Sequence, residues 1–295
     1  MAADDHERLA RIALTYLTAS GDPRIHRQVA TDGAVATYQQ AVQARHGWQR
    51  TAHVRRAGIA LRDDDWRLII PGDPDWPATV DQLTDLELHP GIGADRHAPP
   101  LGLWITGAAD LISVLKQAVT ITGSRAATAY GVHVATDLAT GCAHAGWTVT
   151  TAGNFGIDAA AHRAALTAGT PTIAVLPGGL DRLHPAGHHH LFDRIRDNGL
   201  LISEAPPGTA VTRRRFIDRQ RLLAALTAGT VLVEAAARTT HPFAAITVAT
   251  ALGRPAMAVP GPVTSAQSAG CHQMLRDPRI HLVTDTADVL THLRR

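Results

Sequence analysis

The feature that most constrains the fold is a repeated unit of short apolar strand, tight glycine-containing loop and helix between residues 118 and 270. The first copy reads AVTITGSR over residues 118–125, and the second reads TVTTAGNFGID over residues 148–158. Backbone N–H groups at the start of a helix bind anions, and glycine lets a ligand approach the backbone closely. The pattern therefore favours phosphate as the ligand.

The alternation continues along the chain and predicts an α/β fold. Strands are predicted at residues 66–70, 101–106, 118–122, 148–151, 172–176, 200–203, 230–233 and 256–259. Helices are predicted at residues 130–145, 157–168, 188–198, 216–228 and 243–252. Strands alternating with helices of this length indicate a doubly wound, mostly parallel sheet, whose ligands bind beyond the carboxyl ends of the strands. The loops that follow the strands are therefore expected at one edge of the sheet.

The chain is expected to have an appendage before this sheet. Residues 1–52 are predicted to form a small helical domain, with breaks at Gly21-Asp22-Pro23 and Asp32-Gly33. Residues 53–100 are predicted to connect it to a large domain over residues 101–295.

Composition excludes several classes of protein. Net charge is only +2, so a nucleic-acid site requires local clustering of arginine; Lys116 is the only lysine. Cys142 and Cys271 lack CxxC spacing, so neither a disulfide framework nor a zinc site is expected. No apolar segment resembles a signal peptide or a membrane span, so we expect a cytoplasmic chain with no membrane contact.

The predicted binding edge has few catalytic motifs. G-x-S-x-G, Walker A and G-x-G-x-x-G patterns are absent, which disfavours a hydrolase, an ATPase and a dinucleotide enzyme. Carboxylates follow four strands, and we interpret them as helix caps or anchors of loop amides rather than acid–base groups. These are Asp158, Asp181, Glu204 and Glu234. His188-His189-His190 is interpreted as a solvated helix start, and Cys271-His272 as buried or incidental. No catalytic residue, cofactor or metal is expected.

Arginine is concentrated beside the same edge. The segment RRRFIDRQR over residues 213–221 places five guanidiniums around the start of a predicted helix, after the loop EAPPG at residues 204–208. Such a cluster suits a polyanion better than a mononucleotide, and Arg125 and Arg163 extend it. Phe155 or Phe216 offers a ring on which a base can stack, but a role in the core is the favoured interpretation of each, because the chain has only four phenylalanines.

These motifs occur along residues 101–290 in the same order as in the DNA-processing protein A (DprA/Smf) family, which this chain resembles. The matching segments read TGSR at 122–125, GIDAAAHR at 156–163, VLPGGLD at 175–181, ISEAPPGT at 202–209, RFIDRQR at 215–221, AVPGPVT at 258–264 and AGCH at 269–272. The turn GDPDWP at 72–77 resembles the weaker first half of the family. The resemblance covers nearly all of the predicted large domain.

The resemblance implies an extended Rossmann-like fold that binds single-stranded DNA and loads the recombinase RecA onto it during natural transformation. It also implies a homodimer without catalytic activity. Together with the arginine cluster, it gives a set of predicted DNA- or phosphate-binding residues. This set is Gly123, Ser124, Arg125, Gly153, Phe155, Gly156, Asp158, Arg163, Arg215, Arg219 and Arg221.

The sequence departs from the family pattern at several positions. Gln220 replaces the asparagine of the Arg-Asn-Arg motif, and TTHPF at residues 239–243 replaces Ser-Gly-Ser-Leu. Phe155 stands where many members have arginine, although some carry an aromatic. No winged-helix tail is expected, because the sequence ends at Arg295. Two alternatives remain: a nucleotide-processing enzyme of the related lysine-decarboxylase-like group, and an interaction scaffold that has lost DNA binding.

Overall fold

The computed structural model describes residues 5–43, 65–88, 97–237 and 240–294. In this part of the chain nine strands form one sheet. They are β1 (Arg67–Ile69), β2 (Leu103–Thr106), β3 (Ala118–Thr122), β4 (Thr148–Thr151), β5 (Thr172–Val175), β6 (Leu200–Ser203), β7 (Gly229–Leu232), β8 (Ala256–Ala258) and β9 (Ile280–Leu282).

The strand order β1-β2-β6-β5-β4-β3-β7-β8-β9 is that of a doubly wound sheet. Every pairing from β6 to β9 is parallel, whereas β2 runs antiparallel to both β1 and β6. The chain builds outward from β3 to β6 and then returns to add β7, β8 and β9 on the other side of β3. The strand order therefore reverses between β3 and β7, where a doubly wound sheet forms its ligand crevice.

Helices cover both faces of the sheet. Those of the described residues are α1 (Asp5–Leu17), α2 (Pro23–Asp32), α3 (Ala34–Gln43), α4 (Leu111–Leu115), α5 (Ala129–His144), α6 (Ile157–Thr167), α7 (His189–Asn198), α8 (Arg213–Asp218), α9 (Gln220–Leu226), α10 (Thr240–Ala251), α11 (Ala269–Met274) and α12 (Thr286–Leu293), with 3₁₀ segments at Ala78–Leu88 and Ala186–His188. Val231 and Val233 pack in the cluster that contains α5 and α6, and Leu232 between them packs with α9 and α10. None of these helices has the length and apolarity needed to cross a bilayer.

Three short helices precede the sheet. α2 ends at Gly33, whose φ of 81° lies in the region that favours glycine, and α3 begins at the next residue. The helices share their own apolar cluster, and Ile12 of α1 packs instead against residues of the sheet and α7. Arg8 fixes α1 to the loop after β1 through hydrogen bonds of 3.0 and 2.6 Å to Asp73. The predicted division at residues 52 and 100 stays a prediction, since residues 44–64 and 89–96 lie outside the described ranges.

The mostly parallel α/β sheet is confirmed, with several local differences from the sequence-based expectation. No helix was predicted where α4, α11 and α12 lie. The predicted helix at 216–228 is two helices, α8 and α9, which meet at Arg219. β9 was not predicted, because only Ile280 of its three residues is buried and no apolar run marks it.

Candidate nucleic-acid interface

The loop after β3 lies at the point where the strand order reverses. The Ser124 amide donates over 2.7 Å to the carbonyl oxygen of Glu234, which lies two residues after β7. Gly123 makes this approach possible, because a Cβ there would lie 2.7 Å from the same oxygen. The Ser124 hydroxyl accepts from the Ala126 amide at 3.1 Å, which tightens the turn. Arg125, between them, is exposed.

The carboxylate of Glu234 occupies the N-terminus of α5. Its oxygens accept from the Thr128 amide at 2.9 Å and from the Thr128 hydroxyl at 2.5 Å, and the Glu234 side chain is buried. A negative charge at a helix N-terminus is stabilising, since several N–H groups there lack partners within the helix. The position that a phosphate takes in many doubly wound proteins is thus filled by the protein's own carboxylate.

The loop after β4 packs directly on the first loop. Gly156 has a φ of 75°, and a Cβ there would overlap the carbonyl oxygen of Ser124 and lie 2.7 Å from that of Arg125. The Ile157 amide donates to the Ser124 carbonyl at 3.1 Å. The structure thus brings the two predicted phosphate loops together, as their positions after neighbouring parallel strands require.

Asp158 shapes this second loop from inside the protein. Its carboxylate is fully buried and accepts from the Thr122 hydroxyl at 3.1 Å and from the Asn154 amide and side chain at 3.1 and 2.7 Å. Burial raises the pKa of Asp158, although the nearby Arg219 guanidinium and these hydrogen bonds oppose the shift. Asp158 therefore holds the loop and does not face a ligand.

Arg219 has a structural role in place of the predicted phosphate contact. Its guanidinium is buried and donates to the carbonyl oxygens of Ala152 at 2.7 Å and Val175 at 3.2 Å, and to Asn154 Oδ1 at 2.8 Å. Asn154 therefore connects the buried cation to Asp158. Burial lowers the pKa of Arg219 to about 10.

The same correction applies to Arg221. Its side chain is 3% exposed and forms a bidentate pair with Glu204, with N–O distances of 2.9 and 2.6 Å. It also donates to the carbonyl oxygens of Ala98 and Asp218. The family motif thus supplies two internal braces here, which the position of the residues in the sequence does not reveal.

The other predicted arginines are more accessible. Arg125 and Arg163 are exposed, whereas Arg215 is half-buried and points to the N-terminal helices, 3.5 Å from the Ser20 hydroxyl. Burial, followed by the charges of Arg219 and Arg125, lowers the pKa of His184. Beside Arg125 a cleft of about 30 Å³ opens between the two loops and Phe216. The solvent-facing positive charge of the two loops therefore comes from Arg125, with Arg163 on α6.

Phe155 extends from the second loop with 49% of its surface exposed. Its ring meets the His188 ring edge-on, with centroids 4.3 Å apart. His188 is 2% exposed, so the interpretation of the histidine run as solvated is wrong for this residue, although His189 and His190 are exposed. The sequence of three histidines did not indicate that His188 is buried, because adjacent residues at a helix start face different directions.

The four carboxylates after the strands act as structural anchors. Besides the contacts of Asp158, Glu204 and Glu234, the Asp181 carboxylate accepts from the Gly208 amide at 2.8 Å. Cys271 is buried, as expected, and burial raises its pKa to about 12. Within the described ranges no group of three or more histidine, cysteine, aspartate or glutamate side chains is placed to hold a metal ion. The arrangement suits anion binding at the surface rather than acid–base chemistry.

The sheet and its paired loops define a doubly wound α/β protein with an arginine-bearing loop where the strand order reverses. The sequence profile of the family described as DNA recombination-mediator protein A matches residues 67–294. The chain belongs to this family, which confirms the resemblance. The family is described as one of DNA recombination mediators, which agrees with the expectation that the chain is not an enzyme.

Individual relatives agree with this assignment. The chain is 47% identical over 296 residues to a DNA processing protein DprA of Mycobacterium tuberculosis, covering 94% of this chain and 74% of the relative. The crystal structure of DprA from Streptococcus pneumoniae matches with a TM-score of 0.78 and 24% identity, covering 99% and 98% of the two chains. A Helicobacter pylori DprA structure, described for its single-stranded DNA binding mode, matches with a TM-score of 0.65 and 22% identity, covering 78% and 95%. At these identities the two structures support the fold alone.

Proposed function

We propose that this chain binds single-stranded DNA at the edge formed by the loops after β3 and β4. The observation that carries the proposal is the exposed Arg125 guanidinium, which makes no ion pair with any described residue and extends from a loop fixed by Gly123, Ser124 and Gly156. A guanidinium held on a rigid loop suits bidentate contact with a backbone phosphate. Arg163 adds a second exposed charge on α6, and the family of recombination mediators supplies the biological context.

The test is fluorescence anisotropy of a labelled single strand, titrated at several salt concentrations. Arg125→Ala is expected to weaken binding to all sequences alike and to reduce the slope of log affinity against log salt by about 0.7 to 1. Arg279→Ala is the matched control. This exposed arginine directly precedes β9, so it lies at the amino ends of the parallel strands, whereas Arg125 lies at their carboxyl ends. An unlabelled duplex of equal length is expected to compete poorly.

Three results would contradict the proposal. They are absence of binding at low salt, equal losses for the Arg125 and Arg279 variants, and equal competition by duplex. Equal losses would indicate general charge attraction, and the scaffold alternative would then gain support.

We further propose that the protein protects incoming DNA and helps load RecA onto it in the cytoplasm, as a homodimer. Support comes from membership of the recombination-mediator family. If it loads RecA, the single-strand-dependent ATPase of RecA should start sooner when the chain is present on strands covered by single-strand-binding protein, and Arg125→Ala should remove the effect. Light scattering after size exclusion tests the dimer directly.

A further inference from the structure

We propose that Phe155 is a stacking platform for one unpaired base of the bound strand, placed beside the phosphate contact of Arg125. This inference rests on the proposed function and assigns a base contact in addition to the backbone contact. It concerns a ring at a position where many members of the family have arginine and some have an aromatic residue.

The backbone around Phe155 is fixed by close packing. Gly153 has a φ of 69°, and a Cβ there would lie 2.8 Å from the ring of Phe192 in the core. Gly156 packs against the carbonyl oxygens of Ser124 and Arg125, as described above. Phe155 is therefore held between two anchored glycines, in the segment that touches the arginine loop. A base on the ring and a phosphate on Arg125 would belong to the same short stretch of strand.

The ring is supported from beneath. His188 Nδ1 lies 3.1 Å from the carbonyl oxygen of Gly153, and the His188 ring lies edge-on to both Phe155 and Phe192, at 4.3 and 6.0 Å between centroids. A Cβ on Gly187 would lie 3.1 Å from Phe155 Cζ, so the helix start also contacts the ring. These contacts occupy the inner side of Phe155 and leave half of its surface to solvent. His188 is accordingly a positioning residue for this ring.

No other phenylalanine offers an equivalent surface. Phe192 is fully buried, and Phe243 packs against the main core. Phe216 is only partly exposed, and its ring already contacts the Arg219 guanidinium at 4.9 Å and the His184 ring at 5.5 Å. Phe155 is the phenylalanine with the most open ring, and aromatic stacking accepts any base because every base has a π-face.

Stacking on Phe155 also provides a reason for preferring single strands. A base within a duplex is covered by its neighbours and paired, so it reaches the ring only after unstacking, which costs free energy. Contacts to backbone phosphates alone distinguish single strands from duplex less sharply, because both carry phosphates. The contribution of the ring should therefore disappear on a strand that has phosphates but no bases.

The experiment compares wild type with Phe155→Leu, which keeps an apolar side chain but removes the π-system, and Phe155→Trp, which keeps it. The strands are a labelled oligonucleotide of mixed sequence and an abasic strand of equal length. On the normal strand Phe155→Leu is expected to bind about tenfold more weakly and Phe155→Trp as well as wild type. On the abasic strand the three proteins should bind alike. Since Phe155 is half exposed, the variants should unfold at the same temperature as wild type.

The outcomes separate this inference from the proposed function. If Phe155→Leu binds the normal strand like wild type while Arg125→Ala binds it weakly, base stacking is overturned and the DNA-binding proposal stands. Equal weakening on normal and abasic strands would also overturn stacking, because the loss would then concern the backbone. Absence of binding by wild type would overturn both.

Discussion

The carboxylate of Glu234 accepts two hydrogen bonds from Thr128, at 2.9 Å from the amide and 2.5 Å from the hydroxyl, and so caps the N-terminus of α5 from the loop after β7, 106 residues later in the sequence. Gly131, one turn into the helix, leaves the space for this carboxylate, since a Cβ there would overlap it. The backbone carbonyl oxygen of Glu234 also accepts a hydrogen bond from the Ser124 amide. Glu234 thus joins the β7 end, the arginine loop and the helix that follows.

The first prediction concerns the space between Gly131 and Glu234. Gly131→Ala should lower the free energy of unfolding of the wild type, because Cβ displaces a buried carboxylate held by Thr128. In a Glu234→Ala background the same change should instead stabilise by about 0.5 to 1 kcal/mol, since alanine is the better helix former. Urea denaturation of the wild type, the two single variants and the double variant gives the coupling free energy between positions 131 and 234. Equal effects of Gly131→Ala in both backgrounds would show that Glu234 does not occupy this space.

The second prediction separates the arginines by role. Arg221→Ala should lower the free energy of unfolding by about 3 kcal/mol, because it removes a buried guanidinium and leaves the carboxylate of Glu204, which is only 10% exposed, without its partner. The salt dependence of DNA binding by the folded protein should keep the wild-type slope. The exposed pair of Arg279 and Asp277 is the control, and Arg279→Ala should leave the free energy of unfolding nearly unchanged, because solvent screens this pair. A stable Arg221→Ala protein with a reduced salt slope would restore the phosphate role.

The third prediction concerns the contact between the two loops. Gly156→Ala should destabilise the protein and weaken strand binding, because Cβ would overlap the Ser124 carbonyl and push the arginine loop outward. Gly169→Ala is the matched control: its φ is 73° against 75° for Gly156, and nothing lies within 4 Å of the added Cβ. Both variants place an alanine at a positive φ, which is strained in either case. At Gly156 the ψ of −124° makes this backbone conformation one that almost only glycine adopts, so backbone strain adds to the overlap with Ser124. Equal unfolding free energies for the two would argue against close packing of the loops.

The fourth prediction is a pH dependence from His162. This side chain is fully buried, and its burial, with the charges of His188 and Arg163, lowers its pKa from 6.5 to about 3. Between about pH 3 and pH 6.5, the His162 side chain is therefore protonated in the unfolded chain and neutral in the folded chain. The contribution of His162 to stability falls with decreasing pH, by up to about 1.4 kcal/mol per unit below about pH 6.5.

The measurement is urea denaturation of wild type and His162→Asn at pH 7, 6 and 5. Asparagine can keep the hydrogen bond that joins His162 Nδ1 to the Thr172 hydroxyl at 2.8 Å. The two unfolding free energies should converge as the pH falls, because only the wild type carries the histidine. Parallel curves would mean that His162 titrates alike in both states.

The sequence predicted the sheet because burial on both faces leaves a direct imprint on composition. β3, β4 and β6 begin and end where the apolar runs indicated, and all of their residues are buried. The short edge strand β9 left no such imprint, because its burial is mixed. Glycine spacing likewise indicated the two loops, and the parallel sheet requires that they meet.

The sequence could not show which arginines face solvent and which are buried. Arg125 and Arg219 both lie in family motifs with equal charge, yet one is exposed and the other is buried beneath the second loop. Arg219 is held by the carbonyl of Ala152, 67 residues earlier, and Arg221 by Glu204, 17 residues earlier.

The sequence by itself thus determined the doubly wound fold and the edge at which we propose that DNA binds, since both follow from local periodicity and glycine position. Only the tertiary structure decided that Arg125 faces outward, that Arg219 and Arg221 brace the interior, and that His188 supports Phe155. The reason is physical: a guanidinium or an imidazole serves equally well as a surface group or as a buried donor. Which role it takes depends on acceptors that folding brings from elsewhere in the chain.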